Sequence, residues 1–209
     1  MWKYLVEFIG TFFLVATIGG TVLQPNGAGD LAPLAIGATL MVMIFAGGHI
    51  SGGHYNPAVT LAVFLRGKCG FVDALVYMVV QVIGAVAASV VMVFLKGSAA
   101  AETMTLDVNK ALVAEFMYTF ALCYVVLNVA TAKGTFGNSF YGLAIGFTVL
   151  AGAYSVGSIS GGAFNPAVAV GFTAMRLSAP AHLWVYLAAN FAGGAVAALI
   201  FRAINPDDK

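Results

Sequence analysis

Charge is what this chain has least of. Of its 209 residues only 8% are Asp, Glu, Lys or Arg and 61% are hydrophobic, whereas a soluble domain carries roughly 25% charged residues. A soluble globular class is excluded on that ground. The net charge is +1, too little to hold a polyanion, so no nucleic-acid partner is expected. Cysteine is scarce. Cys69 and Cys123 are the two present; they make no disulfide framework and no metal spacing, and read as small apolar packing residues. Histidine occurs three times, and no Ser–His pair, Asp pair or metal triad falls at one depth. No cofactor, no metal and no enzymatic activity are therefore expected.

What is present is long apolar runs. Six stand out, near 4–23, 31–48, 71–95, 108–131, 139–157 and 180–204, each long enough to cross a bilayer as a helix. The loops between them are short and carry the Gly, Pro and charges of connections. The first run follows Lys3 like a signal peptide, but Glu7 interrupts it and no cleavage site follows, so it reads as an uncleaved first helix. Two more apolar pieces, 57–65 and 166–175, are half-length: at 1.5 Å per residue, about 15 Å. With six spans, Lys3, Arg66, Lys68, Lys133, Arg202 and Lys209 fall on the side of the termini and Lys96, Lys110 and Arg176 on the other. That bias predicts both termini in the cytoplasm and a multi-pass protein of the plasma (inner) membrane.

The chain is also a repeat. Ten-residue windows from Ile50 and Ile159 differ only at His54/Ala163 and Tyr55/Phe164, and both contain Asn-Pro-Ala followed by valine. Glu7 lies 49 residues before Asn56, and Glu115 lies 50 before Asn165; Gln81 and Asn190 each lie 25 after their Asn. Each half, 1–105 and 106–209, therefore holds three spans and one half-length piece. Three is odd, so the second half enters the bilayer inverted, and inverted repeats build a site at the midplane from broken helices. The fold class expected is all-α integral membrane, with six transmembrane helices plus two half-spanning re-entrant helices in a 3+3 inverted repeat.

Asparagine is a good N-cap and proline fits the first helical turn, so Asn56-Pro57-Ala58 and Asn165-Pro166-Ala167 each start a short helix. The preceding Ser-Gly-Gly is non-helical backbone, tolerated in a membrane only where protein buries it or water lines it. Glu7 and Glu115, at matching places in the two halves, suit the role of buried acceptors for its N–H groups; a proton relay would need a partner group at matching depth, and none is evident. Inversion brings the two caps face to face. Their half-helix dipoles oppose cations, and their amides can both donate to one water oxygen, breaking a proton relay while neutral molecules pass.

These features together resemble the aquaporin / major intrinsic protein family over essentially the full chain. The resemblance implies a passive channel, a homotetramer with one pore per subunit, and a ladder of pore-lining backbone carbonyls from His49, Ile50, Ser51, Gly52 and Gly53 and from Ser158, Ile159, Ser160, Gly161 and Gly162. Small-residue faces, 142–146 and 193–197, would let helices approach closely. One departure stands out. Most of the family has arginine after the second Asn-Pro-Ala; here it is Val168. Carried over one at a time, the remaining filter positions are Ile36, Ala153 and Gly162. Such a filter has no cation and no ring. Water and larger neutral solutes are then expected: small polyols, urea, ammonia, hydrogen peroxide or neutral metalloid acids. The alternatives are a strict water channel and an ion-coupled secondary transporter. His54 reads as a hydrogen-bonded structural residue, since Ala163 replaces it in the second half. Trp2 and Trp184 read as interfacial anchors.

Overall fold

The computed structural model describes residues 1–97, 100 and 103–208; Lys209, counted above among the termini-side charges, lies outside them. Eight α-helices follow in order: α1 Trp2–Val22, α2 Ala32–Ser51, α3 Pro57–Leu65, α4 Phe71–Lys96, α5 Val108–Val126, α6 Tyr141–Ser160, α7 Pro166–Ala174 and α8 Leu183–Ile204. Six apolar helical segments of 20 to 26 residues are long enough to cross a membrane, which at 1.5 Å per residue is roughly 30–39 Å. The other two, α3 and α7, have 9 residues each and reach about half that depth.

The helix ends follow local chemistry. Helix α2 starts on a proline in its first turn and stops at Gly52, whose φ of 91° is left-handed; α6 stops the same way at Gly161, φ 86°. Glycine takes that conformation without the Cβ penalty. Helix α4 carries Asp73 in its first turn and Lys96 in its last, both favourable to the macrodipole. Asp107 caps α5 by accepting from the Lys110 N–H at 3.2 Å, and those N–H contacts hold its carboxyl below the usual aspartate range. The far end of α5 widens into a π-turn, Leu127–Thr131, which periodicity does not reveal.

The packing repeats itself. Helix α1 lies on α4 as α5 lies on α8, and α2 meets α6. Each half-helix packs on the last helix of the opposite half, α3 on α8 and α7 on α4. Gly84 and Gly193 mark equivalent crossings: a Cβ on either would lie 2.7 Å from the Phe8 carbonyl oxygen or 2.8 Å from that of Phe116. Around the half-helices many of the buried residues are small, among them Ala58, Ala62, Ala85, Ala167, Ala169 and Ala197, so backbones come close enough there for dispersion contacts to hold helices together in a lipid that offers no hydrophobic drive. On the termini side, Arg66 pairs with Asp208 at 2.6 Å and Lys3 with Asp73 at 2.7 Å. On the other side, Lys96 donates to the carbonyls of Pro25 and Asn26.

Candidate functional site

The two half-helices start at one place. Asn56 Oδ1 accepts from the N–H groups of Ala58 (2.8 Å) and Val59 (3.4 Å), and Asn165 Oδ1 accepts from Ala167 (2.9 Å) and Val168 (3.4 Å). Each cap also reaches across. Asn56 Nδ2 donates to the Phe164 carbonyl at 2.9 Å, and Asn165 Nδ2 donates to the Tyr55 carbonyl at 2.9 Å. The two helix tips are therefore latched to each other, and each amide keeps one N–H uncommitted among the described residues.

That latch depends on an unusual backbone. Tyr55 and Phe164 have φ of 48° and 47°, left-handed values that cost a non-glycine residue about 1–2 kcal/mol. The turn aims each carbonyl at the opposite asparagine. It is held from behind by the buried acids. Glu7 accepts from Ser51 Oγ (2.7 Å), His54 N (2.9 Å), Tyr55 N (2.7 Å) and Gln81 Nε2 (2.8 Å). Glu115 accepts from Ser160 Oγ (2.7 Å), Ala163 N (2.9 Å) and Phe164 N (2.7 Å). With its amide nitrogen turned toward the carboxylate, Asn190 adds the fourth donor at 3.0 Å, and its oxygen accepts from Asn165 N at 2.9 Å. Each carboxylate thus has its buried lone pairs met by donors, which is the condition for keeping a carboxylate in a dry interior.

The side chains before the motifs pack differently in the two halves. The Tyr55 ring lies against Gly10 and Gly47, and its hydroxyl donates to the Met43 carbonyl at 2.9 Å. Phe164 lies instead against Gly152, with its ring 5.4 Å from that of Tyr118 and tilted 35° to it. Tyr118 is the counterpart of Gly10, so α1 gives the Tyr55 ring room that α5 does not give Phe164, while the equivalent helices α2 and α6 each supply a glycine, Gly47 and Gly152.

A cavity of about 450 Å³ runs past the latch. Asn56 and Asn165 line it, and so do Ile36, Ala153, Gly162 and Val168. The four residues carried over from separate helices and loops therefore face one lumen. Asp30 and Tyr154, both exposed, also line it, and the Tyr154 hydroxyl donates to the Asp30 carbonyl at 2.8 Å.

Two members of the expected carbonyl ladder, Ser51 and Ser160, are engaged elsewhere. His49, Ile50 and Ser51 form the last turn of α2, and Ser158, Ile159 and Ser160 the last turn of α6. The Ser51 carbonyl is taken by the Tyr77 hydroxyl and the Ser160 carbonyl by the Tyr186 hydroxyl, both at 2.8 Å. Ser158 and Gly161 border the lumen, as does Gly53, whereas His49 borders a second cavity on the termini side with Lys68, Asn138 and Tyr141. Between α2 and α3, and between α6 and α7, the non-helical backbone is short, Gly52–Asn56 and Gly161–Asn165. Sequence reasoning missed Tyr77 and Tyr186, although both stand 21 residues after their asparagine, and it missed Thr60.

Residues 1–201 match the model of the family described as Major intrinsic protein. The chain belongs to that family. It is 36% identical to the glycerol uptake facilitator protein-like 6 of Lactiplantibacillus plantarum, over 100% of both chains. It is 38% identical to aquaporin NIP1-4 of Oryza sativa, over 96% of this chain and 76% of that one. The X-ray structure of the aquaglyceroporin from Plasmodium falciparum superposes with a TM-score of 0.80, covering 95% of this chain and 94% of that chain at 20% identity. That last likeness speaks to the fold: six spans, two half-helices and an inverted repeat. As a major intrinsic protein with six such spans, the chain is an integral multi-pass membrane protein.

Proposed function

We propose that the lumen is a passive channel for water and small uncharged solutes. The observation that carries this reading is the paired start of α3 and α7 on the wall of an open cavity. Each half-helix tip holds roughly half a positive charge, and each asparagine has one N–H left for a passing oxygen. A cation would meet two dipoles of its own sign, whereas a neutral molecule would meet two donors. Relatives named for glycerol uptake and as aquaporins support the reading.

The filter is formed by Ile36, Ala153, Gly162 and Val168. It is apolar, without cation or ring, and suits polyols, urea, ammonia, hydrogen peroxide or neutral metalloid acids beside water. Carbonyls of Gly52, Gly53, Gly161 and Gly162 supply acceptors along the path. The halves 1–105 and 106–209 act as the two inverted units. The working form is a homotetramer in the plasma membrane with cytoplasmic termini. No coupling-ion site is assigned, since Glu7 and Glu115 spend their oxygens on backbone and side-chain donors. Stopped-flow swelling of reconstituted vesicles tests this. Entry of water together with glycerol or urea is expected. Water alone would overturn the wide filter, saturable ion-coupled flux would favour a transporter, and no flux at all would overturn the channel.

A further inference from the structure

The link between the two halves, from α4 to α5, is stitched onto the chain that leaves α7. The Ala100 N–H donates to the Met175 carbonyl at 3.0 Å, and the Met104 N–H donates to the Leu177 carbonyl at 3.2 Å. Three spans precede this link, so it lies on the face opposite the termini. Met104 is half-buried there and touches two surroundings. It packs on a small apolar cluster, Leu106, Ala111 and Val185. It also lines the lumen with Phe172, Leu177 and Gly161. Its Cε lies 3.4 Å from where a Cβ on Gly161 would stand, next in the chain to the filter residue Gly162.

Among the described lumen-lining residues, Met104 carries the one sulfur. A leucine would fill the same wall, so bulk alone does not call for a thioether. The other methionines differ in access. Met175 is fully buried, Met43 packs half-buried against the core, Met117 is exposed on the spanning helix α5, and Met1 is exposed at the start of the chain. We propose that Met104 is a peroxide-modifiable site: hydrogen peroxide entering from that face oxidises its thioether to the sulfoxide, and the modified side chain throttles the lumen. This rests on the reading of the lumen as a channel that admits hydrogen peroxide.

The step balances without another reactant. A sulfur lone pair attacks one peroxide oxygen, the S–O bond forms and the O–O bond breaks. The other oxygen takes the proton of the transferred one and leaves as water. Sulfur is oxidised and peroxide is reduced. The product is a polar group where an apolar one stood. Leu106, Ala111 and Val185 offer it no side-chain donor, so it turns to the water of the lumen. The backbone bond to Leu177 holds the segment in place, and the side chain takes up the change. Its new oxygen then occupies space beside a filter built of small residues, where a polyol needs more room than water. Reductases reverse methionine sulfoxide, so the modification is a brake that can be released.

Vesicles reconstituted with the full chain and exposed to dilute hydrogen peroxide supply the test. Mass spectrometry follows oxidation methionine by methionine, and stopped-flow swelling follows glycerol and water. Met104 should be oxidised well before Met43 and Met175, and glycerol swelling should be lost in step with the Met104 sulfoxide fraction, water less so. Met104→Leu keeps an apolar side chain of similar size; it should swell in glycerol like the untreated protein and show no response to peroxide. Oxidation of Met104 no sooner than Met175 would overturn the inference, and that readout needs no variant. Glycerol swelling that persists once Met104 is oxidised would overturn it too, as would a Met104→Leu channel that peroxide still slows. Untreated vesicles passing neither water nor glycerol would instead overturn the channel reading, and the brake with it.

Discussion

Gly37 and Gly146 meet each other where α2 crosses α6. A Cβ on Gly37 would lie 2.8 Å from the Gly146 carbonyl oxygen, and one on Gly146 would lie 2.5 Å from that of Gly37. Each stands 19 residues before its asparagine, so the two are equivalent residues of the repeat. The pseudo-two-fold axis that relates the halves passes between them, and the separation of α2 and α6 is set there.

Substituting either glycine should therefore cost more than its small size suggests. Gly146→Ala forces a methyl against backbone, which cannot turn aside. Overpacking of this kind costs about 1–3 kcal/mol. The expected outcome is a lower thermal midpoint in detergent, measured by intrinsic fluorescence. Gly157→Ala is the control, because nothing lies within 4 Å of its Cβ position; its midpoint should not move.

The acids make a second prediction. Glu7→Gln replaces one acceptor oxygen with an NH₂ group that would face either the His54 and Ser51 donors or the Tyr55 and Gln81 donors. Leaving buried donors unmet costs about 1–3 kcal/mol. Glu115→Gln should cost a similar amount, since its partners are the same by type. Both variants should lose thermal stability and flux together. A variant that lost flux with its midpoint intact would point instead to a proton-carrying role.

The third prediction concerns the termini side. Arg66 and Asp208 pair at 2.6 Å with side chains only 3% and 11% exposed, and the arginine also lies 4.8 Å above the Phe201 ring. Asp208 Oδ2 accepts in addition from the Lys133 N–H at 2.7 Å. Asp208→Asn leaves a dry guanidinium unpaired and loosens the loop between α5 and α6. Removing one partner of a buried pair costs about 3–5 kcal/mol. A fall in thermal midpoint is expected, along with faster proteolysis in that loop. An unchanged midpoint would mean that water reaches Arg66.

Much of this architecture was legible because the physics is local. Asn-Pro at a helix start is readable without a structure, and α3 runs over the span, Pro57–Leu65, that its sequence suggests. The second half-helix stops one residue short of expectation, since Met175 has already left helical geometry. Where α2 and α6 end was hidden for a different reason. A Ser-Gly-Gly run can be an extended approach or a helix terminus with a left-handed glycine, and both are written with the same letters. Contacts spanning distant segments, such as Tyr77 to Ser51 and Arg66 to Asp208, depend on how helices are brought together, and spacing alone does not encode that.

Val168 carries the last prediction. It sits in the first turn of α7, its N–H within 3.4 Å of Asn165 Oδ1, and it borders the lumen with Ile36, Ala153 and Gly162. The cap is made by backbone, so Val168→Arg should leave the helix start intact. The new side chain has nowhere to go but the cavity, since Val168 is otherwise buried. A guanidinium there adds five donors and a fixed charge in a space now walled by aliphatic groups. Glycerol permeability should drop at least about tenfold relative to water, a barrier rise of about 1.4 kcal/mol, and cations should be excluded more strongly. Swelling rates in glycerol and sorbitol gradients measure the ratio directly. If it does not change, the narrowest point lies away from Val168. The neighbouring wall around Phe172, Met104 and Leu177 would then set the size limit.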